Sequence, residues 1–303
     1  MVKRIINNKT LSTKGFEDLY PYELNFYKIN GLKMNYIDKG KGRPVLMVHG
    51  NPTWSFYFRS LINGLSPDFR TIVPDHIGCG FSDKPDNRCY RYTLENRVRD
   101  LSCFINHLKL DEKIILIVHD WGGMISLAWA LKNLDMIDKI IIMNSSGFLL
   151  PGTKKFPFRL ALIKYFSPFA VPAVLGLNLF AFAALFLAPA TSLSKKVKKG
   201  LTAPYNSWKN RIATLEFVKD IPLSLTDRSH GTAKFVDDNL HKINAIPTMF
   251  LWGLKDFVFD VNFLNEWKIR LPNAQYHVFE NSGHYLLEDN PDESLMLIKD
   301  FLE

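Results

Sequence analysis

At 303 residues, with 47% hydrophobic and 22% charged side chains, the chain is long enough for one large globular domain or a domain with a sizeable insertion, and too apolar to be disordered. Its three cysteines, Cys79, Cys89 and Cys103, have no metal-ligand spacing, and their odd number argues against a disulfide framework and for a reducing, cytoplasmic compartment. Net charge is +8, but the aromatic residues sit in apolar runs rather than between basic ones, so an anionic membrane surface is a better expected partner than nucleic acid.

The opening segment, Met1-Val-Lys-Arg-Ile-Ile-Asn-Asn8, has charge but no apolar centre or cleavage site, so it does not read as a signal peptide. Lys33 to Asp38 alternates weakly and reads as a strand, Lys39-Gly-Lys-Gly42 as a turn, and Pro44 to Val48 as a buried strand ending at His49-Gly-Asn-Pro-Thr-Trp54. Ser55 to Leu65 looks helical. Arg70 to Pro74 is a short strand that runs into the glycine-rich loop 75–85. Val98, Leu101, Phe104, Ile105 and Leu108 give Thr93 to Leu108 a helical spacing. Ile114 to Val118 is a fully apolar strand, followed by His119-Asp-Trp-Gly-Gly123 and a helical run from Met124 to Leu131. Lys139 to Met143 is another strand. From Ser145 to about Ala245 the alternation stops and helical runs with several prolines take over. Strands return at Pro247 to Trp252 and Gln275 to Phe279, separated by a helix near Phe263 to Leu271, and Pro291 to Leu302 is a last helix. Strands alternating with helices predict an α/β protein with a mostly parallel sheet covered on both faces. The expected division is a core in two parts, 1–145 and 246–303, with a helical cap at 146–245 inserted before the last two strands.

The chain is organised around strand 114–118 and the turn after it, which together have the form of a nucleophile elbow. The residue at its tip is Asp120. A carboxylate is already ionised at neutral pH and can attack carbon directly, but a hydrolytic cycle then needs a base to bring water to the ester. Asn281-Ser-Gly-His284 follows the last strand, where a loop can carry His284 to the elbow, and Asp256, just past the preceding strand, can orient it. The order nucleophile, acid, histidine is that of the α/β-hydrolase fold. The backbone N–H groups of Trp121 and Asn51 are candidates for an oxyanion hole, and their side chains supply an indole N–H and an amide NH₂ that can hold a departing anion.

Three stretches carry a resemblance. His49-Gly-Asn-Pro-Thr-Trp54, the loop 74–85 with Ser82-Asp-Lys-Pro85, and Val118-His-Asp-Trp-Gly-Gly123 resemble the haloalkane dehalogenases of the α/β-hydrolase fold. The likeness is closest to their third subfamily, which includes the β-lactone decarboxylases of bacterial long-chain olefin biosynthesis. It continues at 203–211, 220–224 and 252–260, and so covers nearly all the chain from about residue 30. It implies Asp120 as nucleophile, His284 as base, Asp256 as its acid, and Asn51 with Trp121 as the anion-binding pair, with no cofactor and no metal. One other subfamily carries its acid after the preceding strand. Here that region reads Met143-Asn-Ser-Ser146, without a carboxylate, which leaves the role to Asp256. Val118 departs from the family pattern, since many hydrolases have a glycine there.

The resemblance implies decarboxylation of long-chain β-lactones to alkene and carbon dioxide. The alternatives are hydrolytic dehalogenation and, behind it, epoxide hydrolysis, for which Tyr165 and Tyr205 are available as lid tyrosines. Tyr165 to Ser194 has thirty residues and no charge, and Lys195-Lys-Val-Lys-Lys199 follows. Pro168, Pro172, Gly176 and Pro189 interrupt it before it reaches the length of a membrane span. It is expected either to line an apolar channel or to lie on a membrane surface, placing the protein peripherally on the inner membrane. Other olefin-biosynthesis enzymes are the implied protein partners.

Overall fold

The structure is a computed structural model that describes residues 11–303; the segment Met1 to Asn8, which does not read as a signal peptide, lies outside the described residues. Its centre is an eight-stranded sheet in the order β1-β2-β4-β3-β5-β6-β7-β8. The strands are β1 (Asn25–Ile29), β2 (Leu32–Lys39), β3 (Pro44–Val48), β4 (Arg70–Pro74), β5 (Ile114–Asp120), β6 (Ile137–Ser145), β7 (Thr248–Gly253) and β8 (Gln275–Phe279). β2 runs antiparallel to β1 and β4, and the remaining pairs are parallel. β1 is a strand that the sequence reading omits. It is joined to β2 by a turn at Asn30 and Gly31, whose φ values of 47° and 75° are those of a tight hairpin.

Helices α1 (Arg59–Leu65), α2 (Leu94–Leu108) and α3 (Trp121–Ala130) follow β3, β4 and β5. Between β6 and β7 lie α4 (Phe158–Tyr165), α5 (Ser167–Ala170), α6 (Leu179–Leu187), α7 (Lys195–Thr202), α8 (Ile212–Lys219) and α9 (His230–Asn239). α10 (Val261–Arg270) joins β7 to β8, and α11 (Leu286–Asp289) and α12 (Pro291–Leu302) close the described chain.

β5 shows how the core is built. Its period of two sends Ile114, Leu116 and Val118 into one apolar layer and Ile115 and Ile117 into the other. The first layer is completed by Leu101, Phe104 and Ile105 of α2 and by α3. The second is completed by α1 and α12. A strand buried on both faces must be apolar throughout, which is why 114–118 has no polar residue. The helix α9, although within the expected cap, packs on α2 and α3, and its Ala233 and Val236 join the first layer. We therefore propose that the lid role of 146–245 falls on α4 to α8.

Among the described residues no single helix is long and apolar enough to cross a membrane. The pair Phe158–Tyr165 and Ser167–Gly176 has the composition but bends by 96° between its halves.

Candidate active site

Asp120 ends β5 and precedes α3 with φ 54° and ψ −129°, a strained conformation for a residue with a side chain. Its side chain makes no cap hydrogen bond to α3, so it is not held as a helix cap. The turn is tight enough to exclude side chains around it. A Cβ on Gly50 would lie 1.9 Å from Asp120 Oδ1, and one on Gly123 would lie 1.9 Å from Ser145 Oγ.

The loop after β3 brings the backbone N–H of Asn51 to Asp120 Oδ1 at 2.7 Å. The backbone N–H of Trp121, the next residue, also favours the charged form of the carboxylate. The loop after β8 places His284 Nε2 3.5 Å from Asp120 Oδ2, and His284 Nδ1 donates to Asp256 Oδ2 at 2.7 Å. All three side chains are buried, with exposures of 7% for Asp120, 5% for His284 and 2% for Asp256.

The three groups set one another's protonation. Burial pushes the Asp120 carboxyl above its ordinary range, while His284 and the two backbone N–H groups pull it back. Burial alone would lower His284, but the charge of Asp256, its hydrogen bond and the charge of Asp120 outweigh that and leave the imidazole above its ordinary value. The imidazole thus lies between two carboxyl groups, one on each ring nitrogen.

Three further residues, which the sequence reading does not assign, hold this set in place. Asn144, at the end of β6 with φ 31°, donates from Nδ2 to Asp256 Oδ2 and to the Gly253 carbonyl, both at 3.0 Å, and accepts from Gly253 N at 2.8 Å. It lies in the stretch noted above for lacking a carboxylate; a polar residue at the carboxyl end of a buried parallel strand was the available signal. His119 Nε2 donates to the His284 carbonyl at 2.8 Å. Asp289 accepts from Gly283 N on the histidine loop at 2.7 Å and from Ala190 N and Thr191 N on the cap, at 2.8 Å from each.

Asn51 and Trp121 both line the cavity beside Asp120. Their side chains are placed differently from the simplest expectation. Asn51 Nδ2 donates to the Thr214 carbonyl of α8 at 3.1 Å, which leaves one amide hydrogen for the site. The Trp121 indole N–H has no acceptor among the described residues. Trp121 packs on Phe217 at 5.5 Å, and the buried Arg97 guanidinium lies 3.6 Å from the Phe217 ring on the same stack.

The cavity has a volume of about 660 Å³ and lies between the sheet and helices α4, α5, α6 and α8. Away from Asp120 and His284 its walls are almost wholly apolar, from Phe148 and Leu149 through Ile163 and Val174 to Phe180 and Val218. Neither lid tyrosine faces it. Tyr165 is 64% exposed, and Tyr205 is buried with its hydroxyl near the Thr53 carbonyl at 3.4 Å.

This elbow, with its histidine and acid on the loops after the last two strands of the sheet, defines a class, and the model of the α/β-hydrolase fold matches residues 43–291. The chain belongs to the α/β-hydrolase fold family. Within that family it is 44% identical to a cis-3-alkyl-4-alkyloxetan-2-one decarboxylase of Shewanella oneidensis, over 94% of this chain and 90% of the relative. It is 38% identical to a decarboxylase of the same name from Xanthomonas campestris, over 90% of this chain and 93% of the relative. A haloalkane dehalogenase of Mycobacterium bovis is 29% identical over 90% and 93% of the two chains. Among solved structures, the haloalkane dehalogenase of Agrobacterium tumefaciens shares the fold with a TM-score of 0.82 at 22% identity, covering 92% of this chain and 96% of that one.

Proposed function

We propose that the protein decarboxylates long-chain cis-β-lactones to alkenes, with Asp120 as nucleophile, His284 and Asp256 as its charge partners, and Asn51 and Trp121 as anion donors. An oxetan-2-one is a β-lactone, and the two decarboxylases that match nearly the whole chain support the substrate class. The observation that carries the reading is a buried carboxylate nucleophile facing an otherwise apolar cavity.

The chemistry balances without water. Asp120 attacks the alkyl-bearing ring carbon bonded to the ring oxygen, that C–O bond breaks, and an alkyl ester to Asp120 forms while the former lactone carbonyl becomes a carboxylate on the neighbouring carbon. The Trp121 indole N–H and the remaining Asn51 amide hydrogen attract the carboxylate as it forms. Loss of carbon dioxide from the neighbouring carbon leaves an electron pair that becomes the C=C bond. The ester C–O bond breaks in the same step and returns Asp120 as carboxylate. Inversion in the first step followed by anti departure in the second keeps the two alkyl groups cis.

A second reading, hydrolytic dehalogenation, is favoured by the unpaired Trp121 indole N–H beside Asn51 and by the mycobacterial relative. Epoxide opening loses support because neither lid tyrosine reaches the cavity. A paired assay separates the first two: alkene from a long-chain disubstituted β-lactone, and bromide from a bromoalkane panel. Alkene with little bromide supports the proposal, and bromide without alkene overturns it. The reading also takes in a place in olefin biosynthesis beside the enzymes that make the lactone, and a membrane contact through the cap at the inner membrane surface.

A further inference from the structure

The helix α6 is apolar on every side, Leu-Phe-Ala-Phe-Ala-Ala-Leu-Phe-Leu, yet only Ala181 and Leu185 are buried. Leu179, Phe182 and Phe186 are 45%, 48% and 67% exposed, and across the opening Phe158 of α4 is 78% exposed. These four residues also line the catalytic cavity, so its mouth is framed by apolar side chains facing outward. A helix that is apolar all round is normally covered, by a core or by lipid.

Charge says which cover fits. Residues 146–215 contain ten Lys and Arg and no Asp or Glu, while the rest of the chain has 28 basic against 30 acidic residues. The whole positive excess of the protein therefore lies in the segment that builds the mouth. Basic groups stand on two sides of the apolar rim: Arg159 lines the cavity next to Phe158, and Lys198 Nζ lies 4.5 Å from the Phe186 ring. An apolar band bordered by long cationic side chains suits acyl chains below and lipid phosphates above.

We propose that this face of the cap docks on an anionic bilayer, with α6 in the interface and the cavity mouth opening toward the acyl region. The lactone enters, and the alkene leaves, through lipid rather than water. That route rests on the decarboxylase reading; the docking does not.

The test is flotation of the full chain with phosphatidylcholine vesicles, with and without phosphatidylglycerol at roughly a third of the lipid, because basic side chains near the surface are drawn to anionic lipid. The protein is expected to float with the anionic vesicles at least tenfold more than with the neutral ones, and the difference is expected to shrink in high salt. Phe186→Glu and the pair Lys195→Glu/Lys198→Glu are each expected to lower flotation tenfold or more. The lysine pair, on α7 and outside the cavity lining, is expected to leave turnover of a soluble short-chain β-lactone unchanged. Equal flotation with both vesicle types, no flotation, or flotation unaffected by the variants overturns the docking. A dimer in sedimentation that Phe186→Glu dissociates also overturns it, because a second copy would then be the cover. Vesicle binding without lactone turnover would refute the proposed reaction and leave the docking standing; turnover without vesicle binding would do the reverse.

Discussion

At the scale of single residues, Asp120 is pulled in opposite directions: burial resists its charge, and His284 with two backbone N–H groups restores it. With Asp120 as the proposed nucleophile the attacking form is the carboxylate, so activity is expected to be lost as pH falls through the Asp120 pKa. Because burial leaves that pKa above the ordinary 3.8, the acid limb of kcat/KM is expected above it. His284→Gln removes the main attraction and is expected to move the carboxyl titration, followed by its infrared band, to still higher pH. An unmoved band would contradict the coupling. Asp120→Asn is expected to abolish lactone consumption with the circular dichroism unchanged. Turnover in ¹⁸O-water supplies a sharper readout. Decarboxylation returns both original oxygens to Asp120, whereas hydrolysis of an alkyl ester exchanges one, so label in the peptide carrying Asp120 would favour the hydrolytic reading. Asn144→Ala removes one of the donors to Asp256, leaving His284 Nδ1 and the Val258 N–H, and losing a hydrogen bond to a charged group costs about 1.5–3 kcal/mol. If that loss falls on the transition state, kcat drops by roughly 10- to 100-fold, and Asn144→Asp, which adds repulsion, is expected to do no better.

At the scale of elements, α2 and α8 meet at a buried pair. Arg97 Nη1 lies 3.6 Å from Asp220 Oδ2, and Asp220 also accepts from Leu94 N and Ser229 Oγ at 2.7 Å each, fixing the start of α2. Burial pushes Asp220 up to about 6 even though Arg97 lowers it. Between 3.8 and about 6 the folded protein holds a proton that the unfolded chain has lost, so this group's contribution to stability falls as pH rises through that window. Arg97→Met leaves the carboxylate buried and unpaired, at an expected cost of about 3–5 kcal/mol at neutral pH. The cost is expected to shrink toward pH 5, where Asp220 takes up its proton, and Arg97→Met/Asp220→Asn should recover most of it. Urea unfolding at both pH values checks this, and a double variant no better than the single one would contradict it. Elements of this kind mark where the sequence stops being legible. Apolar runs and a period of two make β3 and β5 readable, and punctuation around them gives their order. β1 escapes because its five residues, Asn-Phe-Tyr-Lys-Ile, are half exposed at a sheet edge, although the Asn30-Gly31 turn was a usable signal. Asp120, His284 and Asp256 are legible by their positions after strands. Asn144 offered only its polarity at the end of β6, while the roles of His119 and of the Asn51 amide depend on contacts between segments far apart in the chain, which no local pattern encodes.

At the scale of the whole molecule, the cavity joins a small polar floor to an apolar shaft that ends at the cap surface. Each methylene taken from water into such a shaft contributes about 0.8 kcal/mol. In dilute aqueous assay, kcat/KM is therefore expected to rise by up to about fourfold per added methylene in either alkyl group. The rise should stop once a tail reaches the rim set by Phe158 and Phe186, since further carbons leave the protein wall. On vesicles the same series has a different expectation. A methylene moved from lipid to an apolar cavity exchanges one hydrocarbon surrounding for another, so little transfer energy remains and the chain-length dependence should flatten. Measuring kcat/KM for lactones of increasing tail length, free and presented in anionic vesicles, separates the two regimes. A dependence equally steep in both would mean that the substrate reaches Asp120 through water, and that the apolar mouth has another use.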